Sequence, residues 1–336
     1  MTHFRSAAVL LAAIALAGAT AAGQSSSGGT LLVANKTDRT LSIIDTGAGK
    51  EQRAVKEDGP TGHEVTASPD GKVAYVPIYG DSGVGRAGSD GQNMMVIDIA
   101  SGKTVGNVDF GKGVRPHHPV IGPKNHLLYV TTELNQTVSI IDPKTLKIVG
   151  EVPTGANESH MLAISRDGKR GYTANVGPGS VSVLDLEAKK TIAVIPISAK
   201  RTQRIALSHD GKIAWTADQG EPRLAAIDTA TNKIDHWIPL PAVGFSTAPT
   251  PDGKFLLVTS TAANKVFVVD LNTKAVAHTL DMPKIPQEVI VRPDGKMAYV
   301  SCDIEAKVVS VRTSDWKVDQ TMDAGKGADG LAWAGK

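Results

Sequence analysis

Leu128-Tyr-Val-Thr-Thr-Glu-Leu-Asn-Gln-Thr-Val-Ser-Ile-Ile-Asp142 reads as two short strands joined by a polar turn. The same pattern returns along the chain at Leu31–Asp45, Gly171–Asp185, Ala214–Asp228, Leu256–Asp270 and Ala298–Arg312. A seventh copy, Ala74–Asp98, is split by an insert. The closing residues Asp45, Asp98, Asp142, Asp185, Asp228, Asp270 and Arg312 are 42–44 residues apart, except for one step of 53 at the insert. A fixed period of this size marks a stacked or closed repeat architecture.

Each unit holds four short runs rich in Val, Ile, Thr and Tyr, such as His160-Met-Leu-Ala-Ile-Ser, Gly171-Tyr-Thr-Ala-Asn, Ser180-Val-Ser-Val-Leu-Asp and Thr191-Ile-Ala-Val-Ile. The first two are joined by turns of the type Ser68-Pro-Asp-Gly71, repeated at Ser165, Ser208, Thr250 and Arg292, with Gly122-Pro-Lys-Asn125 as a degenerate copy. Pro presets φ, Asp bonds its own backbone, and Gly or Asn accepts a left-handed φ. Four antiparallel strands per period of this length predict an all-β, seven-bladed β-propeller of four-stranded antiparallel blades. No amphipathic helix pattern interrupts the runs. No Trp-Asp closes a blade, as a WD40 repeat would require. The chain opens with three strands of a blade (Leu31 to about Val55) and stops after one inner strand, Asp329-Gly-Leu-Ala-Trp-Ala334. The ring is therefore expected to close by N-terminal strands pairing with the C-terminal strand, leaving no open sheet edge.

On these residues the chain resembles the YVTN-repeat propellers, including the YncE-like secreted proteins, over nearly all of residues 30–336. The resemblance implies a seven-bladed disc with a central channel and, by analogy, a ligand-binding role without turnover. It says little about the site, because sites are grafted onto propellers independently of the scaffold.

A basic start (Met1–Arg5), an apolar run (Ser6–Gly18) and Ala19-Thr-Ala21 read as a signal peptide over 1–22, with a Gly/Ser linker over 23–29 and a single domain over 30–336. The expected location is periplasmic or extracellular. The apolar run is too short to span a bilayer, so no membrane span is expected in the mature chain. Cys302 is the only cysteine, which excludes an intramolecular disulfide. A net charge of +2 and 4% aromatic residues argue against a nucleic-acid groove.

Counting five residues back from the Ser of each turn gives the start of every inner strand. The column reads His63, His117, His160, Gln203, Phe245, Gln287 and Asp329. Equal offset means equal height at the channel rim, and neighbouring blades differ by about 51° of rotation. Three histidines therefore share one arc, with Gln203 next. Imidazoles in such a set suit a divalent transition metal such as Zn, Cu, Mn or Fe. The expected metal ligands are His63, His117, His160 and Gln203. Glu64 and Glu158 flank the column as a base or as orienting carboxylates, and Arg204, with Arg115 and Arg201, suits an anionic small molecule at the rim. The insert Tyr79–Gln92 is expected on the same face, as a lid or wall. Its Gly83-Val-Gly-Arg-Ala-Gly88 matches a dinucleotide-loop pattern, but no helix opens after it. Three functions fit: an exported ligand- or metal-binding propeller; a metal-dependent lyase or lactone hydrolase acting on an anionic sugar-like substrate, with Glu64, Glu158 and Arg204 as catalytic groups; or a cell-envelope scaffold with a protein partner.

Overall fold

The computed structural model describes Met1, residues 28–198 and residues 200–335. The segment read as a signal peptide and most of the linker fall outside the described residues. Seven four-stranded antiparallel sheets make the ring, each running from the channel outward in chain order. Six blades are continuous in sequence. In the seventh, Ala328–Trp333 pairs with Thr30–Asn35, which leads on to Thr40–Asp45 and Lys50–Lys56. Leu31 faces Trp333 and Val33 faces Leu331 across this closure. Among the described residues there is no helix.

The repeat pattern explains the packing. The two middle strands of each blade are buried on both faces, as at Phe255–Ser260 and Lys265–Asp270, so they read as continuous apolar runs. Outer strands alternate, as at Lys190–Pro196. The core lies between blades: Leu257, Val266 and Val268 of the fifth pack against Val289, Val300 and Val309 of the sixth. The Thr of the Tyr-Val-Thr pattern ties neighbours together at the rim. Thr131 Oγ1 donates to the His160 carbonyl at 2.6 Å, and Thr259 Oγ1 to the Gln287 carbonyl at 2.8 Å. The turns behave as their chemistry requires, with Gly71, Gly211, Gly253 and Gly295 at φ between 68° and 71°. The degenerate copy differs: its left-handed residue is His126 (φ 56°), one position after Asn125.

Two local devices shape the channel mouth. In several blades the inner strand is bulged, between Pro116 and Pro119, between Ser159 and Met161, and between Pro286 and Val289. A bulge breaks the in–out alternation, so consecutive side chains can both turn to the channel. The chain also enters these strands through left-handed residues two positions before the rim column: Arg115 (φ 52°), Glu158 (φ 54°), Ile285 (φ 57°) and Gly327 (φ 75°).

Candidate functional site at the channel mouth

Six of the seven rim-column residues line one pocket of about 410 Å³: His63, His160, Gln203, Phe245, Gln287 and Asp329. Lys36, Arg201, Arg204, Thr261, Ala262 and Ile285 complete it, and Gly83 and Val84 of the insert form a wall. The seventh, His117, is buried behind the pocket. A larger hollow, about 720 Å³, lies at the opposite mouth around the chain ends. Its buried guanidinium, Arg292, is paired with Asp294, and it holds no imidazole.

The expected imidazoles do come together, but as a stack. His117 and His160 lie face to face with ring centroids 3.5 Å apart, and His63 meets His117 edge-on at 5.6 Å. Tyr79, fully buried, supports His63 at 4.6 Å and His117 at 5.2 Å. The Gln203 amide nitrogen lies 3.1 Å from His160 Nε2, an arrangement in which the amide donates and Nε2 accepts, and the buried Nδ1 has no partner. Ring faces, rather than nitrogens, are presented to one another. Among the described residues no three His, Cys, Asp or Glu side chains could hold one metal ion. Of the expected ligands, His63, His160 and Gln203 thus line the pocket and His117 backs it, and the four are not arranged to ligate Zn, Cu, Mn or Fe.

Burial keeps these rings neutral. The His63 pKa is lowered to about 4, with Lys36 and Arg204 adding to the effect of burial and Asp329 opposing it. His117 and His160 are held well below the usual histidine range, again chiefly by burial. His118 is lowered to about 3 for the same reason.

One step along each inner strand the column reads Glu64, His118, Met161, Arg204, Ser246, Glu288 and Gly330. This second tier holds a buried ionic plug. Arg204 Nη1 meets Glu64 Oε1 at 2.8 Å and Glu288 Oε1 at 3.1 Å, while Nη2 meets Asp329 Oδ1 at 2.9 Å. Lys36 extends the plug to Asp329 (3.1 Å) and Asp303 (3.2 Å). Burial pushes Glu288 up to about 7 and Glu64 well above the carboxylate range, with Arg204 opposing both. For Asp329, Lys36 and Arg204 outweigh burial and hold the carboxyl low. Glu64 therefore neither orients an imidazole nor lines the pocket; it meets the Arg204 guanidinium. Arg204 in turn is no surface fork, being only 3% exposed.

Glu158 stands at the insert. Its carboxylate lies within 2.6 Å of where a Cβ on Gly85 or Gly177 would stand, so a side chain at either would displace it, and Gly85 is in addition left-handed (φ 69°). The insert is fastened by Arg115, whose Nη2 donates to the Arg86 carbonyl (2.6 Å) and whose Nε meets Asp90 Oδ1 (2.6 Å). Glu133 ties the same system together, accepting from Gly85 N (3.2 Å), from Arg115 Nη1 (3.3 Å) and from the Tyr79 hydroxyl. Arg115 is thus an anchor for the wall rather than a ligand contact. Arg115→Ala removes charge-assisted bonds worth about 1.5–3 kcal/mol each. Tryptic cleavage after Arg86 is therefore expected to quicken by about ten-fold or more, read by limited digestion and mass mapping; an unchanged rate would show that the wall is held otherwise. Arg201 is the exposed cation of the pocket, and among the described residues its side chain makes no ion pair. Cys302 is fully buried, and burial pushes its thiol up to about 12, so it is inert.

A seven-bladed propeller with a cationic, imidazole-lined pocket at one mouth is the class of protein that fold and site define. The chain matches the family described as Lactonase, 7-bladed beta-propeller, over residues 27–227, and it belongs to that family. No curated protein matches the chain.

Proposed function

We propose that the protein is a lactone hydrolase acting on a small carboxylate-bearing lactone in the pocket at the channel mouth. The observation that carries this reading is one pocket holding both neutral imidazoles and an unpaired guanidinium, His63 and His160 beside Arg201. Membership of the lactonase propellers supports it. The lyase alternative needs a metal to acidify a C–H bond, and the donor set offers none a place, so no step is routed through a metal.

Arg201 is the group for the substrate carboxylate. Gln203 spends one amide hydrogen on His160 and keeps a second to donate to the carbonyl oxygen as negative charge develops there. His63, uncharged at neutral pH, takes the proton from the attacking water. As the ring C–O bond breaks, it returns that proton to the departing alkoxide. The product is the open hydroxy acid. The signal-like N-terminus supports an exported site of action.

Proton release in a pH-stat with carboxylate-bearing γ- and δ-lactones tests this. His63→Gln is expected to lower kcat by about 100-fold or more while leaving the fold intact. Because the base works in its neutral form, kcat/KM should hold between pH 7.5 and about 5, falling only as His63 begins to protonate near 4. An acid limb at the ordinary histidine value, or full activity in His63→Gln, would remove His63 from this role. Binding without turnover in the wild type would make the site a receptor.

A further inference from the structure

The pocket lining is of two kinds. Arg201, Lys36 and the imidazoles are polar, while Phe245, Ile285, Ala262 and Val84 of the insert are apolar. Two of these apolar residues stand out, although the Phe245 ring also meets the buried Arg204 guanidinium, 5.4 Å from its centroid. Phe245 occupies a rim position where every other blade carries His, Gln or Asp. Ile285 sits at φ 57°, a conformation that is a steric outlier for a β-branched side chain. The fold accepts glycine at the corresponding place, since Gly327 stands there in the next blade at φ 75°. Nor does Ile285 belong to the apolar cluster that holds its own blade against the fifth. Strain of this kind persists where a site uses it.

We propose that the occupant is amphipathic: a carboxylate-bearing lactone with an alkyl or aryl arm, its carboxylate at Arg201 and its arm on Phe245 and Ile285. The lactone rests on the hydrolase reading; the arm subsite rests on the lining alone. A polyhydroxylated sugar acid would lay hydroxyls on this carbon surface and lose their hydrogen bonds to water.

Binding of simple carboxylates separates the two claims. In titration calorimetry of the wild-type protein with linear alkanoates, 3-phenylpropanoate and gluconate, affinity should rise about four-fold per methylene (about 0.8 kcal/mol). Phe245→Ala and Ile285→Gly should flatten that slope, whereas Arg201→Ala should weaken the whole series evenly. Ile285→Gly should also keep or raise the thermal midpoint, because glycine relieves the backbone. Gluconate binding as tightly as phenylpropanoate, a slope surviving in both apolar variants, or no binding of any carboxylate would overturn the proposal. A slope without lactone turnover would sink the hydrolase reading and leave the subsite standing; turnover without a slope would do the reverse.

Discussion

Arg204→Ala is expected to cost about 3–5 kcal/mol of stability, the usual penalty for removing one partner of a buried ionic group. Three carboxyls from three other blades meet this one guanidinium: Glu64 from the first, Glu288 from the sixth and Asp329 from the seventh. All three are almost fully shielded from water. With the cation gone Asp329 keeps only Lys36 as an ion-pair partner, and Glu64 and Glu288, already raised by burial, lose the group that most favours their ionised form. Asp329 lies in the strand that closes the ring, so the damage falls on the closure itself. Arg204→Lys should rescue little, because a single ammonium cannot fork to three carboxyls. Adding Glu64→Gln and Glu288→Gln to Arg204→Ala should recover part of the loss, by removing two buried carboxyls that have lost their partner. Urea unfolding midpoints at pH 7 measure all of these. A loss below about 1 kcal/mol in Arg204→Ala, typical of an exposed pair, would contradict the plug.

Acid is the second strong lever. His63, His117, His118 and His160 stay neutral when folded but take up protons in the unfolded chain as pH falls through the ordinary histidine value of about 6.5. Their folded pKa values are depressed, so each favours the unfolded state on acidification. Glu57 and Glu288, raised to about 7 by burial, and Glu64, raised well above its usual value, act the other way. They bind protons in the folded state first, which stabilises it between pH 7 and about 4.5. Over that window the two groups partly cancel. Below it those glutamates are protonated in both states, and the histidines act together with the lowered Asp329 carboxyl, until His63 titrates near 4 and His118 near 3. Each proton of difference contributes about 1.4 kcal/mol per pH unit. Stability should therefore be greatest near pH 6 and fall by roughly 3–4 kcal/mol per unit around pH 4. Denaturant titrations from pH 8 to 3.5 read this directly, and a flat profile below pH 5 would refute it.

The rim was legible because the repeat is regular. A fixed offset from the Ser-Pro-Asp-Gly turns placed His63, His160, Gln203, Phe245, Gln287 and Asp329 at one height, and they line one pocket. The second tier escaped because alternation along a strand sends neighbours to opposite faces, so Glu64 and Arg204 read as loop charges beside the histidines. Glu64 and Arg204 stand just before the short inner strands Thr66–Ala67 and Ile205–Leu207, and Glu288 lies in a bulge, so that rule governs none of them. A signal was present: one position along, the column carries Glu64, Arg204 and Glu288 at a height where a propeller has no bulk water to solvate them. Ring orientation was beyond reach for another reason. Equal height says that three imidazoles are neighbours, but the stack of His117 on His160 is set by Tyr79, which enters from the start of the insert. The anchoring of that insert by Arg115 and Glu133 likewise depends on a left-handed backbone at Arg115, which composition does not announce.

The most direct test of the account is a crystal structure with a carboxylate-bearing lactam, the non-hydrolysable counterpart of the proposed substrate. The carboxylate is expected at Arg201 and the ring carbonyl within hydrogen-bond reach of Gln203, with His63 on the open face. A lactam bound at the opposite mouth around Trp333, or at the rim with Arg201 and His63 untouched, would contradict it.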